Sequence, residues 1–192
     1  MRIVSKEEFL INKNEFLRII EEGAVFVYPT DTIYGIGCSA LNPKAVQKIR
    51  ELKNRSNAPF SIIAPSREWI AENCEMHAKA EEWLSKLPGP YSLVMKKKNK
   101  GCVAKEVTLE NDTLGVRIPD HWLIECVNEM GIPIVTTSVN KTGMAFMTSV
   151  EDIDPEIKAK VDFIIDEGVI KGRPSNIIFL DKGEVSVRDR RK

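Results

Sequence analysis

The chain has 192 residues, of which 43% are hydrophobic and 29% charged, an ordinary globular composition with enough length for one substantial core. Its 28 basic side chains balance 28 acidic ones, so no global field draws it to nucleic acid, and any such contact must use a local patch. No apolar signal core opens the chain and no stretch is long enough to span a bilayer, so the expected location is cytoplasmic, without a membrane partner.

Ser5 with Glu8 resembles a capping box, and Phe9, Phe16, Leu17 and Ile20 recur at helical spacing until Gly23, predicting one helix. The apolar run at 24–27 is short and partly β-branched, and reads as a buried strand. Pro29 has no N–H with which to continue a ladder, so Thr30, Asp31 and Thr32 fall at the strand's carboxyl end. In open α/β sheets ligands gather in the crevice outside those ends. Gly35 and Gly37 permit a close backbone approach or a tight turn. Asn42-Pro43 opens a second helix through Lys53, and Lys48, Arg50, Lys53 and Arg55 crowd its last turn and the loop after it. Cations there also simply suit the helix dipole.

Residues 60–64 read as a strand, Ser66 as a helix cap, and 77–87 as a helix stopped by Pro88-Gly89-Pro90. The strand-like run at 91–95 leads into Lys96-Lys97-Lys98-Asn99-Lys100, which reads as a solvated hairpin more readily than as a nucleic-acid contact. A strand at 114–118 ends at Pro119, and Asp120 is placed to cap a helix running to Gly131. A strand at 132–135 precedes Thr136-Thr137-Ser138-Val139-Asn140-Lys141-Thr142-Gly143. Ser149 starts a short helix, 161–165 is a strand, and 177–180 with 185–188 form a hairpin around Lys182-Gly183. Alternating strands and helices predict an α/β fold, an open sheet covered by helices, in a single domain over residues 1–192.

Polar clusters gather where elements end: Thr30/Asp31/Thr32, Lys53/Arg55, Thr113 with Arg117, Ser138/Asn140, and Arg173-Pro174-Ser175-Asn176. Arg117 lies between Val116 and Ile118 in a strand, so it faces away from them and needs an anion or water there. That anion is either a structural carboxylate or a ligand. Two separated sets of cations beside hydroxyl and amide donors suit a ligand with two anionic ends, a carboxylate and a phosphate. There is no Gly-x-x-x-x-Gly-Lys-Ser/Thr or Gly-x-Gly-x-x-Gly loop, and neither His77 nor His121 sits in a nucleophile-activating context. Cys38, Cys74, Cys102 and Cys126 lie far apart, which favours free buried thiols over a zinc site, so no metal ligands are assigned. An enzyme built this way works by positioning and charge stabilisation, as in phosphoryl or nucleotidyl transfer.

Tyr28-Pro29-Thr30-Asp31-Thr32-Ile33-Tyr34-Gly35-Ile36-Gly37, Lys53-Asn54-Arg55, Pro88-Gly89-Pro90, Val116-Arg117-Ile118-Pro119-Asp120-His121 and Thr137-Ser138-Val139-Asn140 together resemble the signature of the YrdC-like threonylcarbamoyl-adenylate synthases, in the short, single-domain branch. The resemblance implies a twisted, mixed sheet with flanking helices around a concave cationic cleft. It implies Lys53 and Arg55 as catalytic cations, with Thr32, Arg117, Ser138 and Ser175 facing threonine. Arg55, Thr113, Asn140, Thr148 and Arg188 would face ATP. The implied substrates are L-threonine, bicarbonate or carbon dioxide, and ATP with Mg²⁺. The implied products are threonylcarbamoyl-AMP, which a downstream tRNA threonylcarbamoyl-transferase complex consumes, and pyrophosphate. Direct contact with tRNA or double-stranded RNA belongs to the same picture, and an RNA-binding module or a carbamoyl-adenylate-forming relative are the alternative readings. After Arg55 the chain reads Ser-Asn-Ala-Pro, one residue shorter than in many members, and Ser61 stands where some carry a histidine.

Overall fold

The computed structural model describes residues 1–141, 143–182 and 184–190. A first strand, β1 (Arg2–Ser5), precedes everything the periodicity shows, and Ser5 then caps α1 (Lys6–Ile11) by accepting from Glu8 N at 3.2 Å. The single helix expected up to Gly23 is two. Asn12 lies between α1 and α2 (Lys13–Glu22), and its side-chain amide donates to Glu8 O at 2.9 Å, a local bond that competes with helix continuation. Gly23, at φ 111°, closes α2. β2 (Phe26–Tyr28) stops before Pro29 as anticipated, and β3 (Gly35–Gly37) returns antiparallel to it.

The middle of the chain supplies α3 (Pro43–Leu52), capped by Asn42, then β4 (Ser61–Ile63), α4 (Arg67–Asn73) behind Ser66, and α5 (Ala78–Leu84) behind His77. β5 (Tyr91–Lys96) runs into the lysine-rich segment, which makes no simple hairpin but detours through α6 (Lys105–Thr108) before β6 (Thr113–Arg117). Asp120 does not cap the next helix. Its backbone N–H donates to Asp31 Oδ2 at 3.2 Å, and α7 (Leu123–Met130) begins after Trp122. β7 (Ile134–Ser138) follows, then a 3₁₀ turn at Val150–Asp152 with Ser149 in a capping box. α8 (Pro155–Lys160), β8 (Phe163–Asp166), β9 (Asn176–Phe179) and β10 (Ser186–Arg188) complete the chain. β9 and β10 pair antiparallel as expected, although Gly183 of their turn lies outside the described residues.

The strands form one mixed sheet in the order β1-β8-β2-β3-β7-β4-β6-β5-β9-β10. Its period-2 alternation feeds two separate cores. Val27, Ile62, Val116, Val135 and Ile164 pack with α3, α4, α5, α6 and α8 on one face. Phe26, Tyr28, Ile63, Ile134 and Phe163 pack on the other with Phe9 of α1, Phe16 and Ile20 of α2, and Val127 of α7. Gly37 is squeezed between strands: a Cβ there would stand 2.1 Å from Val135 O. The Gly-Ile-Gly stretch thus serves close strand packing rather than a loop around a ligand.

On the second face the inward register changes character toward β6, β5 and β9. Thr136, Ser61 and Gly115 are successive cross-strand neighbours, and Ser92, Ile177 and Arg188 continue the row that Arg117 occupies. This small, polar floor is where the site lies. Among the described residues, no helix is long and apolar enough to cross a membrane.

Candidate active site

Six of the residues expected at the site, Thr32, Arg55, Arg117, Ser138, Ser175 and Arg188, line one cavity of about 290 Å³. That size is near the lower end for small-molecule pockets. Each comes from a different element end, and the strand order brings them together. The sequence reading missed Ser92, Thr136 and Arg190, which share the wall with Ser61, noted in that reading only as standing where some members carry a histidine. The signal for Ser92 and Thr136 was present, because each is the polar partner of an apolar neighbour in a central strand.

The loop after β2 is tied by Thr30, whose hydroxyl accepts from the N–H groups of Thr32 (3.1 Å) and Ile33 (3.2 Å) and donates to Ile33 O at 2.7 Å. This turn carries Asp31 to Arg117. The anion that Arg117 requires is internal: Nη2 donates to Asp31 Oδ1 at 2.5 Å, and Nη1 to Thr32 Oγ1 at 3.3 Å. Both members of the ion pair are nearly buried, at 6% and 10% exposure of the side chain. Arg117 Nε is buried without an acceptor among the described residues. Its fork is therefore not wholly free for a carboxylate, as the sequence alone suggested.

Arg55 lies over the Phe60 ring, 5.1 Å from its centroid, with Nη2 donating to Pro59 O at 2.6 Å. Arg50, itself buried, braces the same loop through Arg55 O (2.9 Å) and Ala58 O (3.0 Å), so the shortened segment after Arg55 is held on both sides. Cations crowd here without carboxylates of their own in the cavity wall. Burial, then the charges of Arg50 and Arg190, lower the Arg55 pKa. Burial, then Arg117 and Arg188, lower that of Arg190. A bound polyanion relieves this mutual repulsion.

Comparison with known proteins agrees with this geometry. The family described as telomere recombination (Sua5, YciO and YrdC) matches residues 18–189. The chain belongs to the Sua5/YciO/YrdC family. It is 36% identical to a provisionally named threonylcarbamoyl-AMP synthase of Methanocaldococcus jannaschii, over 93% of this chain and 89% of that one. It is 32% identical to the threonylcarbamoyl-AMP synthase of Vibrio campbellii, over 86% and 92% of the two chains. The crystal structure of P. abyssi Sua5 complexed with L-threonine superposes with a TM-score of 0.85 at 29% identity. That match covers 97% of this chain, which spans only 56% of the P. abyssi protein.

In this Sua5/YciO/YrdC member the remaining expected residues stand outside the cavity wall. Lys53, placed in the sequence reading as a catalytic cation, is only 2% exposed. As the C-cap of α3 it points inward, and Nζ donates to Ser138 O (2.5 Å), Asn140 O (2.6 Å) and Asn140 Oδ1 (3.3 Å). It braces the Ser138–Asn140 turn from behind. Asn140 is committed within that turn, accepting from Ser138 Oγ at 2.5 Å and donating to Met144 O at 2.5 Å. Thr148 Oγ1 donates to Asp152 Oδ2 at 3.4 Å, and Thr113, opposite Lys96, shares the sheet face of Arg117 but lies beyond the cavity. All four cysteines are free and buried, and burial pushes each thiol up. No group of His, Cys, Asp and Glu among the described residues could hold a metal.

Burial, then the charges of Arg55 and Arg190, bring the Lys53 ammonium down from its usual 10.5 to about 7. Between those values the unfolded chain holds a proton that the folded chain has released, so stability rises with pH across that window. Relative to Lys53→Met, the wild type should gain about 1–3 kcal/mol from pH 7 to pH 10, and nothing below pH 7. Urea midpoints of the two proteins across this range check it, and parallel curves would contradict it.

Proposed function

We propose that this chain, acting as a single domain in the cytoplasm, joins L-threonine, carbon dioxide or bicarbonate, and ATP into threonylcarbamoyl-AMP and pyrophosphate. The observation that carries the reading is the convergence of Thr32, Arg55, Arg117, Ser138, Ser175 and Arg188 on one cavity. That convergence occurs in a chain whose relatives bear the name threonylcarbamoyl-AMP synthase and whose structural neighbour was crystallised with L-threonine. The threonine amine adds to carbon dioxide and loses a proton, giving a carbamate. A carbamate oxygen then attacks the α-phosphorus in line, and pyrophosphate leaves.

The protein's part is orientation and charge. Arg117, in the cavity wall, takes the threonine carboxylate through the N–H groups that Asp31 and Thr32 leave over, with Thr32, Ser138 and Ser175 supplying hydroxyls around the amino acid. Arg55 and Arg188, with Arg190, meet the triphosphate, while Thr113, Asn140 and Thr148 reach the nucleotide beyond the cavity. Lys53 contributes through the turn it holds. The cavity wall offers arginines and hydroxyls but no carboxylate, so it does not fit a resident metal. Magnesium therefore enters with the nucleotide as part of the substrate, and no step is assigned to it. The product feeds threonylcarbamoylation of tRNA by a separate transferase complex.

The test is pyrophosphate release from ATP and bicarbonate, with and without L-threonine, followed by mass detection of the adenylate. Release that requires threonine and yields the threonylcarbamoyl adenylate is expected. Release independent of threonine, or none in either case, would overturn the reading.

A further inference from the structure

The Asp31–Arg117 pair joins segments 86 positions apart in sequence, and strand order places β3, β7 and β4 between the strands that carry them. The loop after β2 must therefore reach across several strand ends to make it. Asp31 does more than neutralise a charge: Oδ1 takes Nη2 of Arg117 while Oδ2 accepts from Asp120 N at 3.2 Å, three positions beyond the end of β6. One carboxylate thus ties both the side chain of Arg117 and the backbone that follows it. Thr32 Oγ1 holds Nη1, so the guanidinium is gripped at both terminal nitrogens and its plane is set. A guanidinium carries five N–H donors. Nη1 and Nη2 each give one of their two to Thr32 and Asp31, the side chain lines the cavity, and Nε lies buried with no partner among the described residues.

We infer that Asp31 is a positioning residue, which holds Arg117 in the cavity wall so that the N–H groups not taken by Asp31 and Thr32 are presented to the carboxylate of the amino-acid substrate. The inference rests on the proposed function and adds to it a residue that touches Arg117 rather than substrate. Asp31 balances the charge of Arg117. Arg55, Arg188 and Arg190 line the same cavity, whose wall holds no carboxylate. Loss of Asp31 should then affect the amino acid alone, through geometry, and leave nucleotide use as it was.

The experiment is steady-state kinetics on the wild type, Asp31→Asn and Asp31→Ala, with threonine and ATP varied in turn. Asn keeps an oxygen acceptor for Arg117, whereas Ala removes it. The expected result is a threonine KM raised roughly ten- to a hundredfold in Asp31→Ala and by less in Asp31→Asn. The ATP KM and the turnover at saturating threonine should stay within about threefold of wild type. Folded variants with unchanged threonine KM, or with both KM values raised alike, would overturn the positioning role. Failure of the isosteric Asn variant to fold would also overturn it, by assigning the pair to stability alone. A wild type that does not require threonine would instead refute the proposed function, so the two failures are distinguishable.

Discussion

Replacing Arg117 by Ala is expected to destabilise the protein by about 3–5 kcal/mol as well as to abolish threonine use. The reason is Asp31, whose side chain is 10% exposed and whose charge is met by Arg117 at 2.5 Å. Removing the arginine leaves a carboxylate desolvated and unpaired, which costs far more than the pair itself contributes. The same logic predicts rescue: Asp31→Asn added to Arg117→Ala should recover more than half of the lost stability, although not the activity. Chemical denaturation of the two single variants and the double variant measures the coupling directly. If the double variant is no more stable than Arg117→Ala, the burial of the pair is not what makes the single change costly.

Gly172→Ala should reduce turnover by roughly a hundredfold while costing only about 1–3 kcal/mol of stability. A Cβ at this position would stand 1.6 Å from Thr32 O and 2.6 Å from Thr32 C, both backbone atoms, so no side-chain rotation can absorb it. The segment between β8 and β9 must lift, and with it Pro174 and Ser175 of the cavity wall. Its anchors nearer β8 stay intact: Tyr34 Oη donates to Gly168 O at 2.8 Å and Ile170 N to Thr148 O at 2.8 Å. The fold therefore survives while the site is displaced. Gly101→Ala is the control, because its Cβ would approach nothing closer than 3.6 Å. Wild-type turnover in Gly172→Ala would show that the crossing at Thr32 is unimportant.

Where local chemistry sets an element, its residues were enough. Pro29 ended β2, Gly23 closed α2 with a left-handed residue, and Asn42 and Ser66 capped α3 and α4 through side-chain oxygens three positions from their donors. At Arg117 the flanking Val116 and Ile118 also told which side of its strand is polar. What escaped was short or held from afar. β1 is a strand only because β8, more than a hundred residues later, lies parallel to it. Asp120 has the makings of an N-cap, yet the helix begins only after Trp122, and the Asp120 backbone is tied to the distant Asp31 instead.

The sequence by itself determined most of the strand and helix punctuation, the outward face of Arg117, the family, and six side chains of the cavity. Each of these depends on residue type within a few positions, or on motifs kept in order. Only the tertiary structure decided which partner each cation meets: Asp31 for Arg117, and the Ser138 and Asn140 carbonyls for Lys53. Those contacts join strands and loops 85 to 87 positions apart, and a charge cannot reveal in sequence whether it will find a ligand or a neighbour. The distinction lies in strand order and burial, which arise from packing the whole sheet at once.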